Sequence, residues 1–173
     1  SSVWSSVDTE GKWLVKMPSV TAGCPYEVLV IGQDTTLFKD VLVGEVWVCS
    51  GQSNMEWVVR NSNNADEEMN NANWPQIRMY TVERNVSDKP LDDCTAQWQI
   101  CTPENAGDFS AVGYFFGRHL HRKLDVPIGL LHTSWGGTPA ESWTSYETVA
   151  SDSATLPIIE RFESERENYP ERL

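Results

Sequence analysis

A chain of 173 residues is long enough to bury a substantial core, either as one compact unit or as one unit and part of another. Its 25 acidic residues against 13 basic ones give a net charge of −12 at pH 7, a balance that repels phosphate backbones and anionic lipid surfaces. Neither nucleic acid nor a membrane is therefore expected as a partner, and no run of about 18 apolar residues is present to span a bilayer. The opening Ser1-Ser2-Val3-Trp4, without an initiator Met or a charged and then apolar leader, reads as a processed or truncated start.

From Gly11 to Val43 the short runs "KWLVKM", "YEVLVI" and "TTLFKDVLV" are punctuated by "MPS", "TAGCP" and "GQD", which predicts a small antiparallel β unit with further strands expected before Ser1. After Gly44 the rhythm changes. "EVWVCS" is a continuous apolar strand of the kind buried on both faces of a parallel sheet, so a boundary is placed between residues 1–43 and 44–173. The strand runs straight into Ser50-Gly51-Gln52-Ser53, and a helix is expected to start within Met55–Val59. The polar segment Asn61–Asn73 reads as a loop or short helix that could rim a cleft. Gln76–Val82 is a second strand, and Glu83–Ala106 a long irregular connection containing the short run "AQWQI".

Asp108 or Ser110 can cap a helix over Ala111–Leu124, whose apolar face is read as Val112, Phe115, Phe116, Leu120 and Leu124. Arg118, Arg122 and Lys123 then sit near its C-terminal end, where the helix dipole favours positive charge. Val126–Trp135 is a third parallel-type strand, and the closing "IIERFESERENYPERL" reads as a charged helix. Strand, turn, strand, helix, strand is the alternation of a doubly wound α/β sheet, in which ligands bind beyond the carboxyl ends of the strands. The Ser50–Ser53 turn and the Ser134-Trp135-Gly136-Gly137-Thr138 turn both fall at that edge and should share one rim.

Four cysteines are too few for a disulfide scaffold, although Cys94 and Cys101 are close enough in sequence to staple a loop; with no paired C-x-x-C spacing, a zinc site is not expected. Asn85-Val86-Ser87 is an N-glycosylation triplet that matters only in a eukaryotic secretory pathway. Eight Trp, several among Gly, Ser, Thr and Asn, suit stacking on sugar rings or half-buried core positions equally.

Gly51 lets the chain turn without a Cβ clash, which would leave the Ser53 hydroxyl projecting at the start of a helix. A tetrahedral oxyanion needs two or three N–H donors, which Ser53 and the Gly136-Gly137 turn could supply. "GQSN" is not the G-x-S-x-G elbow of α/β-hydrolases, because Met55 stands where the second Gly would be. By spacing alone Ser53 is either a nucleophile or a serine capping a helix. Ser50 is the weaker candidate of the two hydroxyls.

"VGEVWVCSGQSNMEW" together with "PIGLLHTSWGGTPAESW" resembles the sialate O-acetylesterases and related carbohydrate esterases of the SGNH-hydrolase superfamily. "YFFGRHLHRKLDVPIGLL" is similar to the helix–strand unit between those motifs, and the β unit before Gly44 looks like part of the family's accessory β-domain. The resemblance covers most of the chain to about Trp143. It implies Ser53 as nucleophile, with its own N–H and the Gly136-Gly137 turn as oxyanion donors. It also implies Gln52 and Asn54 bracing the turn, and Trp135, Glu141 and Trp143 shaping the pocket.

The family's third motif, W-x-Q-G-E-x-N, and its acidic residue and base His are not found here, and no histidine follows His132. Of the three present, His119 is read on the apolar helix face, His121 opposite it, and His132 at the end of a strand on the active edge, as a candidate base. The expectation is therefore an N-terminal piece of a longer, exported esterase, whether secreted, periplasmic or lysosomal. It would deacetylate O-acetylated sialic acid or an acetylated polysaccharide such as xylan without metal or organic cofactor, its base lying elsewhere in the same protein. The rival expectation is a non-catalytic carbohydrate-binding protein using a Trp-rich rim.

Overall fold

A computed structural model describes residues 2–87 and 89–168. Among the described residues no strand precedes Gly23: the "KWLVKM" segment pairs with no strand, and its Trp13, Leu14 and Met17 are exposed, so alternation of apolar residues was not enough to make it a strand. β1 (Gly23–Ile31) and β2 (Thr35–Val43) pair antiparallel as a separate two-stranded sheet. Asp40 Oδ2 accepts from Arg78 of the second sheet at 2.8 Å, and the guanidinium holds the Asp40 carboxyl below the usual carboxylate range.

Gly44 carries the chain from β2 into β3 (Glu45–Cys49) in contact with Pro127: a Cβ there would fall on the Pro127 carbonyl, whose oxygen accepts from the Glu45 N–H at 3.0 Å. The second sheet has the order β3-β6-β4-β5, with β4 at Trp74–Thr81, β5 at Trp98–Cys101 and β6 at Ile128–His132. β3 and β4 both run parallel to β6, whereas β5 is antiparallel to β4. The fold class is α/β as expected, but the sheet is mixed. The run "AQWQI", read as part of an irregular connection, supplies its antiparallel edge.

Helices are short before residue 111: α1 (Ser53–Glu56), α2 (Ala65–Asn70) and α3 (Pro103–Ala106). α4 spans Ala111–Leu124, as the periodicity predicts, and packs on β6 and β4. Ser110 rather than Asp108 is its cap, accepting from the Gly113 N–H at 3.1 Å. The buried face differs in part from the expected one. Phe115 and Leu120 pack against the core as expected, but the fully buried residues are Ala111, Gly113, Tyr114 and Gly117, while Val112, Phe116 and Leu124 are exposed. The small residues decide this, since they let the helix approach until a Cβ on Gly117 would meet Leu130 Cδ1 at 2.7 Å. The same rotation reverses the two histidines: His119 is exposed, and His121 is half-buried, its Nδ1–H donating to the Val126 carbonyl at 2.8 Å and its ring against Trp74.

β3 also departs from expectation. It is an edge strand of the sheet, and Val46, Trp47 and Val48 are 60%, 42% and 65% exposed, so only its last residue, Cys49, enters the core. An apolar run specifies a strand with two coverable faces but not which neighbours are there to cover them. The core gathers Ile77 and Met79 from β4, Ile128 and Leu130 from β6, Tyr114 from α4, and Val59 and Phe109 from the connections.

No disulfide joins Cys94 to Cys101. Cys101 is buried in the core, whereas Cys94 is exposed, with its Sγ 3.5 Å from Tyr80 Oη. α5 (Tyr146–Ala150) and α6 (Leu156–Asn168) complete the described chain, and the end of the expected charged helix, residues 169–173, lies outside it. No helix among the described residues is long and apolar enough to cross a membrane.

Candidate active site

β3 and β6 are adjacent and parallel in register, Cys49 opposite His132, so the chain leaves both strands at the same edge of the sheet. The two turns then bind one another. The Thr133 N–H donates to Cys49 O at 3.1 Å, the Trp135 N–H donates to Gly51 O at 3.2 Å, and Gln52 Nε2 donates to Thr138 O. Gly51, at φ 148°, takes a backbone shape that side chains rarely allow, and the turn it makes ends in the single helical turn of α1 beginning at Ser53. The helix expected from Met55 onward is thus only one turn, and it stops at Trp57, which is extended.

Ser53 is exposed, and its hydroxyl makes no hydrogen bond among the described residues. Gly136 lies directly against it: a Cβ on Gly136 would stand 3.1 Å from Ser53 Oγ and 3.4 Å from Ser53 Cα. Gly137 has φ 80°, with open space around its would-be Cβ. The two polar turns expected to share a rim are therefore in contact. Gln52 ties them together through Thr138, whereas Asn54, expected to brace the turn, is exposed and forms no side-chain hydrogen bond among the described residues.

Trp135 and Trp143 are joined through Thr138, next to the glycine turn. Thr138 Oγ1 donates to Trp135 O at 2.7 Å and accepts from Trp143 Nε1 at 2.8 Å. Glu141 Oε1 pairs with Arg161 of α6 at 3.1 Å, so its carboxylate is engaged by the charged helix. The Ser50 hydroxyl lies 3.4 Å from Thr133 O, to which it donates.

His132 is buried at the end of β6, edge-on to Phe109, with Nε2 2.6 Å from Ser134 Oγ and no hydrogen-bond partner at Nδ1 among the described residues. Burial pushes its imidazole below the ordinary histidine value, against the pull of the nearby Glu56 carboxylate. It makes no hydrogen bond to Ser53. His121 sits at the opposite end of the sheet, near the start of β4 and β6.

Two residues of this site were not read from the sequence. Glu56, three positions after Ser53, accepts on Oε2 from the Gly136 N–H and on Oε1 from the Arg84 guanidinium. Those two bonds hold the Glu56 carboxyl below the usual carboxylate range, the Gly136 N–H contributing most. Arg84 in turn lies over the Trp135 ring, 5.4 Å from its centroid. Glu56 stood inside the quoted motif, and the spacing of three on a helix beginning at Ser53 was the available signal. Arg84 lies in a connection with no pattern of its own.

A serine at a strand-to-helix turn, faced by a glycine turn from the neighbouring parallel strand, is the arrangement of an α/β esterase. The comparisons agree: residues 43–163 match the family described as carbohydrate esterase, sialic acid-specific acetylesterase, and the chain belongs to that family. The human sialate O-acetylesterase is 40% identical over 162 residues, covering 84% of this chain and 30% of its own length. The mouse sialate O-acetylesterase is 37% identical over 161 residues, again covering 30% of its length. Among solved structures, a carbohydrate acetylesterase from Xanthomonas citri superposes with a TM-score of 0.79 at 37% identity, over 86% of this chain and 34% of that one. The chain thus spans about a third of the length of the relatives it matches.

Proposed function

We propose that this chain carries the nucleophile of a serine esterase that removes O-acetyl groups from sugars, with Ser53 as that nucleophile. The observation that carries the reading is the exposed Ser53 hydroxyl, presented on a one-turn helix against the Gly136-Gly137 turn, within residues that match the carbohydrate esterase family. Ser53 Oγ attacks the acetyl carbonyl while a base takes its proton, and the tetrahedral oxyanion is held by backbone N–H groups. Collapse then breaks the bond from the acetyl carbon to the sugar oxygen, which leaves as a hydroxyl by taking that proton from the base, and water hydrolyses the acetyl-serine to acetate. Relatives named sialate O-acetylesterase favour an O-acetylated sialic acid as substrate. Trp135 and Trp143 supply apolar faces for the sugar beside the turn.

The base is assigned to the remaining part of the same protein, because His132 is turned to Ser134 and His121 lies at the opposite sheet end. β1 and β2 are assigned to an accessory β unit and residues from Gly44 onward to the esterase domain, a division that follows the two separate sheets. Export to a secretory, periplasmic or lysosomal compartment suits an enzyme acting on glycans.

The test is Ser53→Ala in the full-length protein. Acetate release should fall by several powers of ten while sugar binding stays within a few-fold, and peptide mapping after organophosphonate treatment should find the label on Ser53. Undiminished turnover in the variant would remove Ser53 from the mechanism. No turnover in the unmodified protein, with sugar still bound, would make it a binding protein. Residues 1–173 alone should hydrolyse acetyl esters negligibly, and robust hydrolysis lost on His132→Ala would make His132 the base.

A further inference from the structure

Glu56 connects the parts around Ser53. It lies one helical turn beyond Ser53, so the serine turn and the carboxylate belong to the same short rigid element. One of its oxygens holds the Gly136 N–H, the backbone group of the residue that packs against Ser53 Oγ, and the other holds Arg84. A carboxylate can serve both donors at once, and bonds assisted by its charge are stronger than those to a neutral amide.

That clamp has an electrostatic consequence. It puts a full negative charge beside the place where the reaction gathers negative charge on the acetyl oxygen, and the two would repel. The Arg84 guanidinium, ion-paired to Glu56 and lying over Trp135, is placed to cancel it. Arg84 is exposed and Glu56 partly so, and the ion pair between them holds each charge in place at the turn.

We propose that Glu56 is a positioning residue that fixes the Gly136-Gly137 turn against Ser53, and that Arg84 neutralises the charge this clamp places beside the oxyanion. The inference rests on the esterase reading above. It also divides the backbone donors: the Gly136 N–H is committed to Glu56, which leaves the N–H groups of Ser53 and Gly137 for the oxyanion.

The experiment is a double-mutant cycle in the full-length protein, with kcat and KM measured on p-nitrophenyl acetate and thermal melts recorded for every variant. Arg84→Ala leaves the carboxylate uncancelled and should lower kcat about a hundredfold with KM within a few-fold. Glu56→Gln keeps one acceptor and removes the charge, and should cost about tenfold. Combined, the two substitutions should be more active than Arg84→Ala alone, because the offending charge is gone. Arg84→Lys, which keeps the positive charge, should recover at least tenfold over Arg84→Ala and serves the test if the alanine variant does not fold. A double variant no more active than Arg84→Ala, a Glu56→Gln enzyme with wild-type kcat, or an Arg84→Ala effect confined to KM would each overturn the proposal. Ser53→Ala run alongside separates the two readings. If it abolishes turnover while the Glu56 and Arg84 variants are unaffected, only the clamp is wrong; if it does not, the esterase assignment itself has failed.

Discussion

Gly136 and Ser53 are packed so closely that one methyl group separates a working arrangement from a blocked one. A Cβ on Gly136 would sit 3.1 Å from Ser53 Oγ on one side and collide with the Glu56 carboxylate on the other. Gly136→Ala should therefore push the two turns apart and lower kcat by about a hundredfold, the cost of a displacement near one ångström at reacting groups. The thermal midpoint should move by no more than a few degrees, because Gly136 lies outside the core. Steady-state kinetics with a melting curve decide it: wild-type kcat in the alanine variant would mean the turns have room that the structure denies them.

The α4–β6 contact is set by a missing side chain. A Cβ on Gly117 would meet Leu130 at 2.7 Å and 2.9 Å from its two methyls, in the centre of the core. Gly117→Ala should destabilise the fold by about 1–3 kcal/mol through overpacking. His119→Ala, two residues on but exposed, should change stability by less than about 0.5 kcal/mol. Urea unfolding monitored by far-UV circular dichroism measures both. Equal midpoints for the two variants would show that α4 does not approach β6 as closely as described.

His132 ties stability to pH. Burial lowers its pKa in the folded protein below the ordinary 6.5, so the unfolded chain binds the proton more readily. Below about pH 6.5 the unfolded state gains protons that the folded state refuses. Stability from this residue is thus intact above that pH and declines as pH falls toward the folded pKa. The thermal midpoint of wild type should drop between pH 7.5 and 5.5 more steeply than that of His132→Gln. Parallel curves would show that His132 is readily protonated in the fold.

The thiols should divide by location. In a Cys24→Ser background, iodoacetamide at pH 8 should modify exposed Cys94 first and leave Cys49 and Cys101 unmodified until the protein unfolds. Burial raises both core thiols, Cys101 to about 12, and so removes the thiolate that would react. Peptide mapping by mass spectrometry reads the order, and a Cys94–Cys101 disulfide in the native protein would contradict the structure outright.

Much of the local framework was legible because it depends on neighbours in sequence. α4 begins and ends where its periodicity and the Ser110 cap place it, β6 falls within the run that suggested it, and β4 overlaps its expected run but starts two residues earlier, at Trp74. The meeting of the serine and glycine turns also followed from sequence, since two parallel strands that both end in Gly and Ser must deliver them to one edge. What failed depended on contacts across the fold. Val112 and Phe116 look like the buried face of α4 until Gly113 and Gly117 are recognised as the residues that allow close approach. The exposure of β3 depends on which strands flank it, and the separation of Cys94 from Cys101 on where β5 docks. Glu56 was passed over for a similar reason: a glutamate at the end of a short helix looks solvated until Arg84, from a patternless loop, arrives beside it.

The stitching between the turns also fixes when, in the life of each molecule, Ser53 takes its place against the glycine turn. Gln52 and Thr138 are 86 positions apart, so their bond closes a long detour of chain, at an entropic cost of about 4 kcal/mol that only the completed sheet can offset. A polypeptide emerging from the ribosome exposes Ser53 early, long before Trp135, Gly136 and Thr138 have been synthesised. Until they arrive Ser53 has no glycine turn to face, so the arrangement around its hydroxyl forms only after the chain has been made through Thr138.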